Sequence, residues 1–423
     1  MPVASYPGHV LLQSDNELSK NVESVLVDQI ISALTVQPAQ KKPNREAIGP
    51  RDIVCRGTFE EVNSFFYERK WSDGLPIVPP TAAKVEEFLR YTDRAPHEVV
   101  GVLSPDKREA TVWNIAVNGV MAGCRPEYMP VLTAIVEALA DPSFRHEYMG
   151  TTAGTEALII MNGPVIKDLG FNFEQGALRV GFQANTSIGR FLRLYLRNVA
   201  GFLPHSTDKA TFGGTWRVVL AENEDAVARI GWQPLSVDRG FDAGENVVTV
   251  TSCTSTAMLV SVGSSRAEEM LEKLAAAVAD IQVYLFRVSF SGLSAMPQVV
   301  LSPCVAEAIA QSGYSRADVR RYLYQHARVP AKRLEQLCRD KGTLCEAVRQ
   351  GKFPRQYCES TDPDRLVPMV WSPDDYIVIV SGDPARDNCL VCGQNSYVGY
   401  PVSKRIELPS NWQALLRDRV AAC

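Results

Sequence analysis

Short apolar runs alternate with stretches of helical periodicity along most of the chain. Apolar runs bounded by polar or turn-forming residues predict strands at 157–161, 217–221, 247–250, 258–262, 298–301 and 376–380. Apolar positions at helical spacing predict helices at 58–70, 111–122, 126–140, 185–199, 265–279, 316–325 and 331–350. This alternation predicts a layered α/β fold with a mixed or partly parallel sheet. No internal repeat is evident in the sequence.

The hydrophobic pattern also divides the chain into three parts. Residues 1–50 are polar and mixed, with one amphipathic stretch at 22–34, and predict an N-terminal extension that is either loosely attached or packs on a partner subunit. The loop 238–244 is the best candidate for a boundary between two α/β lobes, residues 51–240 and residues 241–423. A cleft between the two lobes would be the default binding site.

Composition limits the classes of function. The 423 residues carry a formal net charge of -4, and their aromatic residues are not interleaved with basic runs, so we expect no nucleic-acid partner. No apolar stretch of about 18 residues occurs, and we expect no membrane partner. The first 50 residues lack the pattern of a secretory signal, which predicts a cytoplasmic protein whose ten cysteines stay reduced. We further expect a homo-oligomer that acts on a small anionic substrate.

Two short cysteine segments carry the strongest chemical signal. Cys253 lies in a Thr-Ser-Cys-Thr-Ser segment, and Cys389 and Cys392 form a Cys-x-x-Cys pair. Each segment follows a predicted strand, so the sequence predicts two tight turns at strand carboxyl ends. Three thiolates there could hold a [4Fe-4S] cluster with one open iron. A redox dithiol, a cysteine nucleophile and a zinc site remain alternatives.

Polar residues accompany these cysteines. Ser252, Thr254, Ser255 and Asn395 could donate hydrogen bonds to cluster sulfides or to a substrate carboxylate. They could equally satisfy the backbone of their own turns.

Cys124 stands between two predicted helices, beside Arg125. A helix amino terminus and a neighbouring guanidinium favour the thiolate, so Cys124 could act as a nucleophile, an acid/base or a fourth metal ligand. The alternative is an ordinary buried cysteine that packs as a small apolar residue.

A polar helix start at 185–190 predicts an anion-binding site. Asn185 can cap the helix, Ser187 adds a hydroxyl, and Arg190 could clamp an anion with two hydrogen bonds. Arg193 and Arg197 recur on the same face, where solvation or surface ion pairs explain them better than binding does.

Two further residues are candidate acid/base groups. His205 lies in a polar loop beside an acid and a lysine, and His146 is the second choice. Glu156 precedes a predicted core strand and could act as a carboxylate base, or it could form a structural cap or ion pair.

The chain resembles two known families. The cysteine segments resemble the cluster-binding segments of the aconitase and isopropylmalate isomerase family, which implies the [4Fe-4S] cluster with Cys253, Cys389 and Cys392 as ligands. Segments 71–81, 118–128, 162–164 and 185–190 resemble UGSC-motif (seleno)proteins, which are similar to component B of glycine and betaine reductases. Because no Sec-Gly-Ser-Cys or Cys-Gly-Ser-Cys string occurs, this second resemblance does not carry over the selenol chemistry.

Three functions are compatible with these features. The first is a lyase, a hydro-lyase or a sulfur-transfer or desulfuration enzyme, with the open iron of the cluster as Lewis acid. The second is a thiol-dependent reductase in which Cys389 and Cys392 form a redox dithiol and Cys124 or Cys253 attacks a C–N or C–S bond. The third is a non-catalytic subunit whose cysteines hold zinc.

Overall fold

The chain forms two compact units, Met1–Val54 and Cys55–Cys423. The computed structural model describes residues 4–8, 13–35, 49, 51–214, 218–253, 257–286, 292–337, 343–394 and 396–422. No helix in these ranges is long and apolar enough to cross a membrane.

The described part of the first unit contains three successive helical segments. Helix α1 (Asp15–Asn21) continues through a π-helical turn (Val22–Leu26) into α2 (Val27–Thr35). Ser14 starts α1 with a capping box. The Ser14 hydroxyl accepts a hydrogen bond from the Glu17 amide, and the Glu17 carboxylate accepts one from the Ser14 amide. None of the residues in these three segments is buried.

The second unit contains the strands and the remaining α-helices. The strands are β1 (Val99–Leu103), β2 (Arg108–Thr111), β3 (Glu156–Asn162), β4 (Leu220–Ala221), β5 (Val247–Cys253), β6 (Ala257–Ser261), β7 (Gln298–Leu301), β8 (Arg328–Pro330), β9 (Leu366–Pro368), β10 (Ile377–Val380), β11 (Asn388–Cys392) and β12 (Val402–Arg405). The helices are α3 (Phe59–Glu68), α4 (Ala82–Leu89), α5 (Val112–Ala122), α6 (Met129–Ala140), α7 (Val165–Asp168), α8 (Gln183–Tyr195), α9 (Glu224–Arg229), α10 (Leu235–Asp238), α11 (Ala267–Phe286), α12 (Pro303–Gln311), α13 (Arg316–His326), α14 (Ala331–Leu337), α15 (Leu344–Arg349) and α16 (Trp412–Ala422).

Two four-stranded sheets organise this unit. The first sheet has the order β12-β5-β3-β4 and the second has the order β10-β7-β11-β6. In each sheet one pair of strands is parallel, β3 with β4 and β7 with β10, and the other pairs are antiparallel. Two small antiparallel pairs, β1-β2 and β8-β9, lie outside them. The predicted α/β class with mixed sheet is therefore confirmed.

The two sheets pack face to face with helices on their outer sides. Successive strand residues point to opposite faces, so Ile159 of β3 packs with α5, α6 and α8, whereas Leu158 points the other way. On the second sheet, Val299 packs with α11, α12 and α13, whereas Val300 joins the same inner core as Leu158. The layers are therefore helices, sheet, sheet and helices.

The two sheets repeat one topology. Strands β3, β4 and β5 correspond to β7, β10 and β11, because the pairing order and the relative directions are the same. The fourth strand of each sheet is exchanged: β6 follows β5 in the chain but pairs with β11, whereas β12 follows β11 but pairs with β5. The fold thus contains a duplication that the residue pattern does not reveal.

Three sequence-based expectations need correction. Residues 389–392 form strand β11 and not a tight turn, and Cys253 is the last residue of β5. The helix predicted at 331–350 is interrupted at Thr343, whose extended backbone and side-chain cap start a separate helix, α15. The sheets do not follow the predicted division at 240, because β5 and β12 of the first sheet both come after it.

The expectation that all cysteines stay reduced also differs from the structure. Cys345 and Cys358 are joined by a disulfide. Cys55, Cys124, Cys253, Cys304, Cys389 and Cys392 are free thiols.

Candidate active site

Cys253 and Cys392 meet in the core between the two sheets. Both residues end their strands, β5 and β11, and both side chains point into the core between the sheets. Each residue has a relative exposure of 0%. The pair therefore lies where the two halves of the duplication meet.

Polar residues occupy equivalent positions opposite the two cysteines. Glu156, the first residue of β3, is the antiparallel partner of Cys253. Gln298, the first residue of β7, is the antiparallel partner of Cys392. Both side chains are buried, so each thiol has a polar neighbour in an otherwise apolar core.

Hydrogen bonds fix the geometry around Cys253. Its Sγ donates to Oε1 of Gln298 at 2.9 Å. The Cys392 side chain is also within hydrogen-bonding reach of Cys253. Burial raises the pKa of Cys253 well above its usual range, and the contacts with Cys392 and the charge of Glu156 raise it further. Cys253 is therefore held as a neutral thiol.

A second buried amide supports the turn that follows β11. Gln394 donates through Nε2 to Ser252 Oγ at 2.8 Å and to the Gly399 carbonyl at 2.9 Å. Its Oε1 accepts from the Met296 amide at 2.9 Å. The Ser252 hydroxyl is therefore engaged with Gln394.

An open cavity of 580 Å³ is bounded on one side by Arg193. Its wall includes Arg193, His205, Asp208 and Lys209. Arg193 Nη1 is 3.2 Å from Glu156 Oε1, and its Nη2 is 3.8 Å from Asp208 Oδ2. One ion-pair chain thus leads from the cavity through Arg193 to Glu156, the neighbour of Cys253.

Cys389 lies on the opposite face of the sheet. Residues three apart on a strand point to opposite sides, and Cys389 packs against α11 and α12 in the outer core. Burial raises the pKa of its thiol to about 12. The structure therefore brings together two of the three predicted ligands. Within the described ranges, no group of three or more His, Cys, Asp or Glu side chains could hold a metal ion.

Cys124 follows the C-terminal end of α5 and is buried in the core that α5, α6 and α8 share. Burial raises the pKa of this thiol to about 12, although a hydrogen bond with Ser187 and the charge of Arg190 act in the opposite direction. Arg125, the predicted activating cation, instead pairs with Glu127 at 2.9 Å. The predicted activation of Cys124 has no counterpart in this geometry.

The residues of the predicted anion site are used in structural contacts. Arg190 makes two hydrogen bonds with Asp73, from Nε at 3.1 Å and from Nη2 at 2.9 Å, and also binds the Pro76 carbonyl at 2.8 Å. Asn185 donates to the carbonyls of Asn172 and Val219. The Ser187 hydroxyl donates to the Gln183 carbonyl at 2.7 Å. The contacts of Arg190 and Asn185 hold loops against α8, and that of Ser187 lies within the helix.

The two histidines differ in their surroundings. His205 is exposed in the cavity wall, and its backbone has a φ of 65°. His146 is buried, and its Nε2 accepts from the Ser104 amide at 2.8 Å. Burial lowers the pKa of His146, which favours its neutral form. Thr254, Ser255 and Asn395 lie outside the described residues.

No family model, curated protein or solved structure matches this chain. The two family resemblances stay predictions.

Sequence reasoning missed the two glutamines of the site. Neither glutamine belongs to a motif that predicts the site, although Gln298 starts a predicted strand and Gln394 lies two residues after Cys392. The available signal was Gln298 itself, a polar residue that starts an otherwise apolar strand after Pro297. Buried polar side chains need hydrogen-bond partners, and such a position predicts an interior polar contact.

Proposed function

We propose that the chain is a thiol-dependent oxidoreductase whose Cys253 and Cys392 cycle between a dithiol and a disulfide. The observation that carries this proposal is the contact between two free thiols, each from a different sheet, in a site closed to solvent. A disulfide forms only between cysteines whose Cα atoms lie about 4.4–6.8 Å apart with their side chains directed at each other, and the interaction between these two side chains is the reason to expect one here.

The cavity beside Arg193 suits a small polar substrate. Arg193 and Lys209 supply positive charge there, with Arg193 already paired with Glu156 and Asp208, and His205 adds an imidazole to the same wall. Such groups would pair with the anionic end of a substrate, and its reactive end would reach the buried thiols only when the contact between Arg193 and Glu156 opens. A small anion therefore remains the proposed substrate class.

The chemistry can be written as a balanced two-step reduction. One thiolate displaces an amine or thiol leaving group from a carbon next to a carbonyl or carboxylate, so an S–C bond forms and a C–N or C–S bond breaks. The second thiol then attacks the first sulfur. The S–C electron pair goes to the carbon, which takes a proton, and a disulfide remains. A small dithiol or a dithiol protein restores the reduced enzyme.

The same geometry favours the dithiol over the cluster. A cluster bound by all three predicted cysteines needs Cys389 on the same face as Cys392, and strand β11 puts their side chains on opposite faces. A zinc site would need further ligands beside Cys253 and Cys392.

A redox titration tests the proposal. The protein is equilibrated in dithiothreitol buffers of graded redox potential, and the remaining thiols are then alkylated. Mass spectrometry of the peptides that contain Cys253 and Cys392 gives the oxidised fraction at each potential. We expect one reversible disulfide between these residues. Cys253→Ser and Cys392→Ser should each abolish it, and Cys389→Ser is the matched control because this thiol lies on the other face of β11.

Two results would overturn the dithiol proposal. One is a failure of the wild-type protein to form this disulfide at any potential. The other is a brown protein after anaerobic purification that contains iron and sulfide and loses both in Cys389→Ser, because that result requires all three predicted ligands.

A further inference from the structure

The duplication makes the surroundings of the two thiols comparable position by position. Glu156 and Gln298 are the first residues of equivalent strands, and each pairs with the cysteine that ends the neighbouring antiparallel strand. A carboxylate therefore stands where the second half has a neutral amide. The two thiols share a fold position but have different partners.

The Gln298 side chain can have only one orientation. Its Nε2 donates to the Met296 carbonyl at 2.6 Å and to Thr251 Oγ1 at 3.0 Å. A carbonyl oxygen only accepts, so the NH2 group must face Met296 and Oε1 must face Cys253.

This orientation favours the protonated form of Cys253. Because Oε1 is an acceptor, Cys253 has to supply the hydrogen in their contact. A thiolate at this place would face the lone pairs of Oε1 and also the carboxylate of Glu156. Both neighbours therefore oppose negative charge on Cys253. For Cys392, the antiparallel neighbour is the uncharged amide.

We propose that Gln298 is a positioning residue that holds Cys253 as the proton-carrying, resolving thiol and leaves Cys392 as the thiol that attacks the substrate. This assignment rests on the proposed dithiol chemistry. In the first step the Cys392 sulfur forms the bond to the substrate carbon, and the leaving group departs with a proton. In the second step Cys253 loses its proton to the substrate carbon and attacks the Cys392 sulfur.

Competitive alkylation tests the assignment. The fully reduced protein is treated with light iodoacetamide until a small fraction of either thiol has reacted, then unfolded and treated with heavy reagent. The light fraction at each cysteine is read by peptide mass spectrometry. We expect Cys392 to carry most of the light label in the wild-type protein. Because both rates come from the same molecules, any opening that exposes both thiols together cancels from their ratio.

The variant Gln298→Met isolates the hydrogen bond. Methionine has a similar length but no carbonyl oxygen, so Cys253 loses the acceptor that stabilises its neutral form. One hydrogen bond of ordinary strength corresponds to a shift of about fivefold in the labelling ratio toward Cys253. Gln394→Met is the matched control, because Gln394 is an equally buried amide that bonds Ser252 and neither thiol. This control should lose stability and keep the wild-type ratio.

The outcomes separate this inference from the proposed function. Equal labelling of the two thiols in the wild-type protein, preferential labelling of Cys253, or an unchanged ratio in Gln298→Met would overturn the positioning role, even if the disulfide forms. Absence of the disulfide, with Cys392 still labelled first, would overturn the oxidoreductase proposal and with it the attacking role of Cys392.

Discussion

Replacement of Arg316 by methionine should strongly destabilise the second unit. Arg316 in α13 donates to Glu222 at 2.8 Å, and the Glu222 side chain has no exposed area. The same carboxylate accepts from Asn162 at 2.7 Å, from the Leu235 amide at 2.7 Å and from the Val380 amide at 3.2 Å. Glu222 thus ties the end of β4 to strands of both sheets.

The size of the destabilisation follows from the charge of Glu222, which the substitution leaves without its partner. Without the guanidinium, Glu222 keeps three neutral donors but is an uncompensated buried charge. Breaking a buried ion pair from one side costs about 3–5 kcal/mol. Arg321→Met is the matched control on the same helix, since the Arg321 side chain is 59% exposed and pairs with Asp318 at the surface. The unfolding free energy of Arg321→Met should fall by less than about 1 kcal/mol.

Urea unfolding, followed by tryptophan fluorescence and circular dichroism, measures both variants. The double variant Glu222→Gln/Arg316→Met should recover a large part of the loss, because no buried charge remains. If Arg316→Met unfolds at the same urea concentration as Arg321→Met, the buried pair does not carry the stability assigned to it.

Three other perturbations give distinct signatures. Arg190→Ala should lower the unfolding free energy by about 2 kcal/mol, since two charge-assisted bonds to Asp73 are lost, and should leave the redox titration of the thiols unchanged. Burial raises the pKa of Glu224 above its usual value of 4.5, so the folded protein holds this proton more tightly than the unfolded chain and loses stability as the pH rises above 4.5. Glu224→Gln removes this ionisation. The variant should therefore become more stable than the wild-type protein between pH 4 and pH 7, as measured by urea midpoints. Cys345→Ser should lose about 3 kcal/mol under oxidising conditions, and a reductant that cleaves the bond to Cys358 should remove this difference from the wild-type protein.

Local pattern was sufficient where the chain itself marks an element. Strand β7 was predicted with its observed bounds, because Val299, Val300 and Leu301 form an apolar run between Pro297 and Ser302. Helix α5 begins one residue after its predicted start, where Thr111 forms a capping box. These signals lie within a few residues of the element that they define.

Local pattern failed where pairing decides the structure. Strand β11 contains two apolar residues between its cysteines, and its strand state comes from ladders on both sides, with β6 and β7. The Cys-x-x-Cys spacing predicts that Cys389 and Cys392 share one site. Because residues 388–392 form a strand, the two side chains instead lie on opposite faces of the sheet. No spacing rule connects Arg190 with Asp73 or Cys253 with Gln298, because these partners meet only after the sheets pack.

The exchanged strands have an evolutionary consequence. Two copies of a half-length chain that exchange their last strands form a domain-swapped homodimer. The present fold has that topology within one polypeptide. In such an ancestor the two thiols would come from different subunits and have identical neighbours. The difference between Glu156 and Gln298, the residues opposite the two cysteines, is therefore a feature that a symmetric dimer of identical chains could not have.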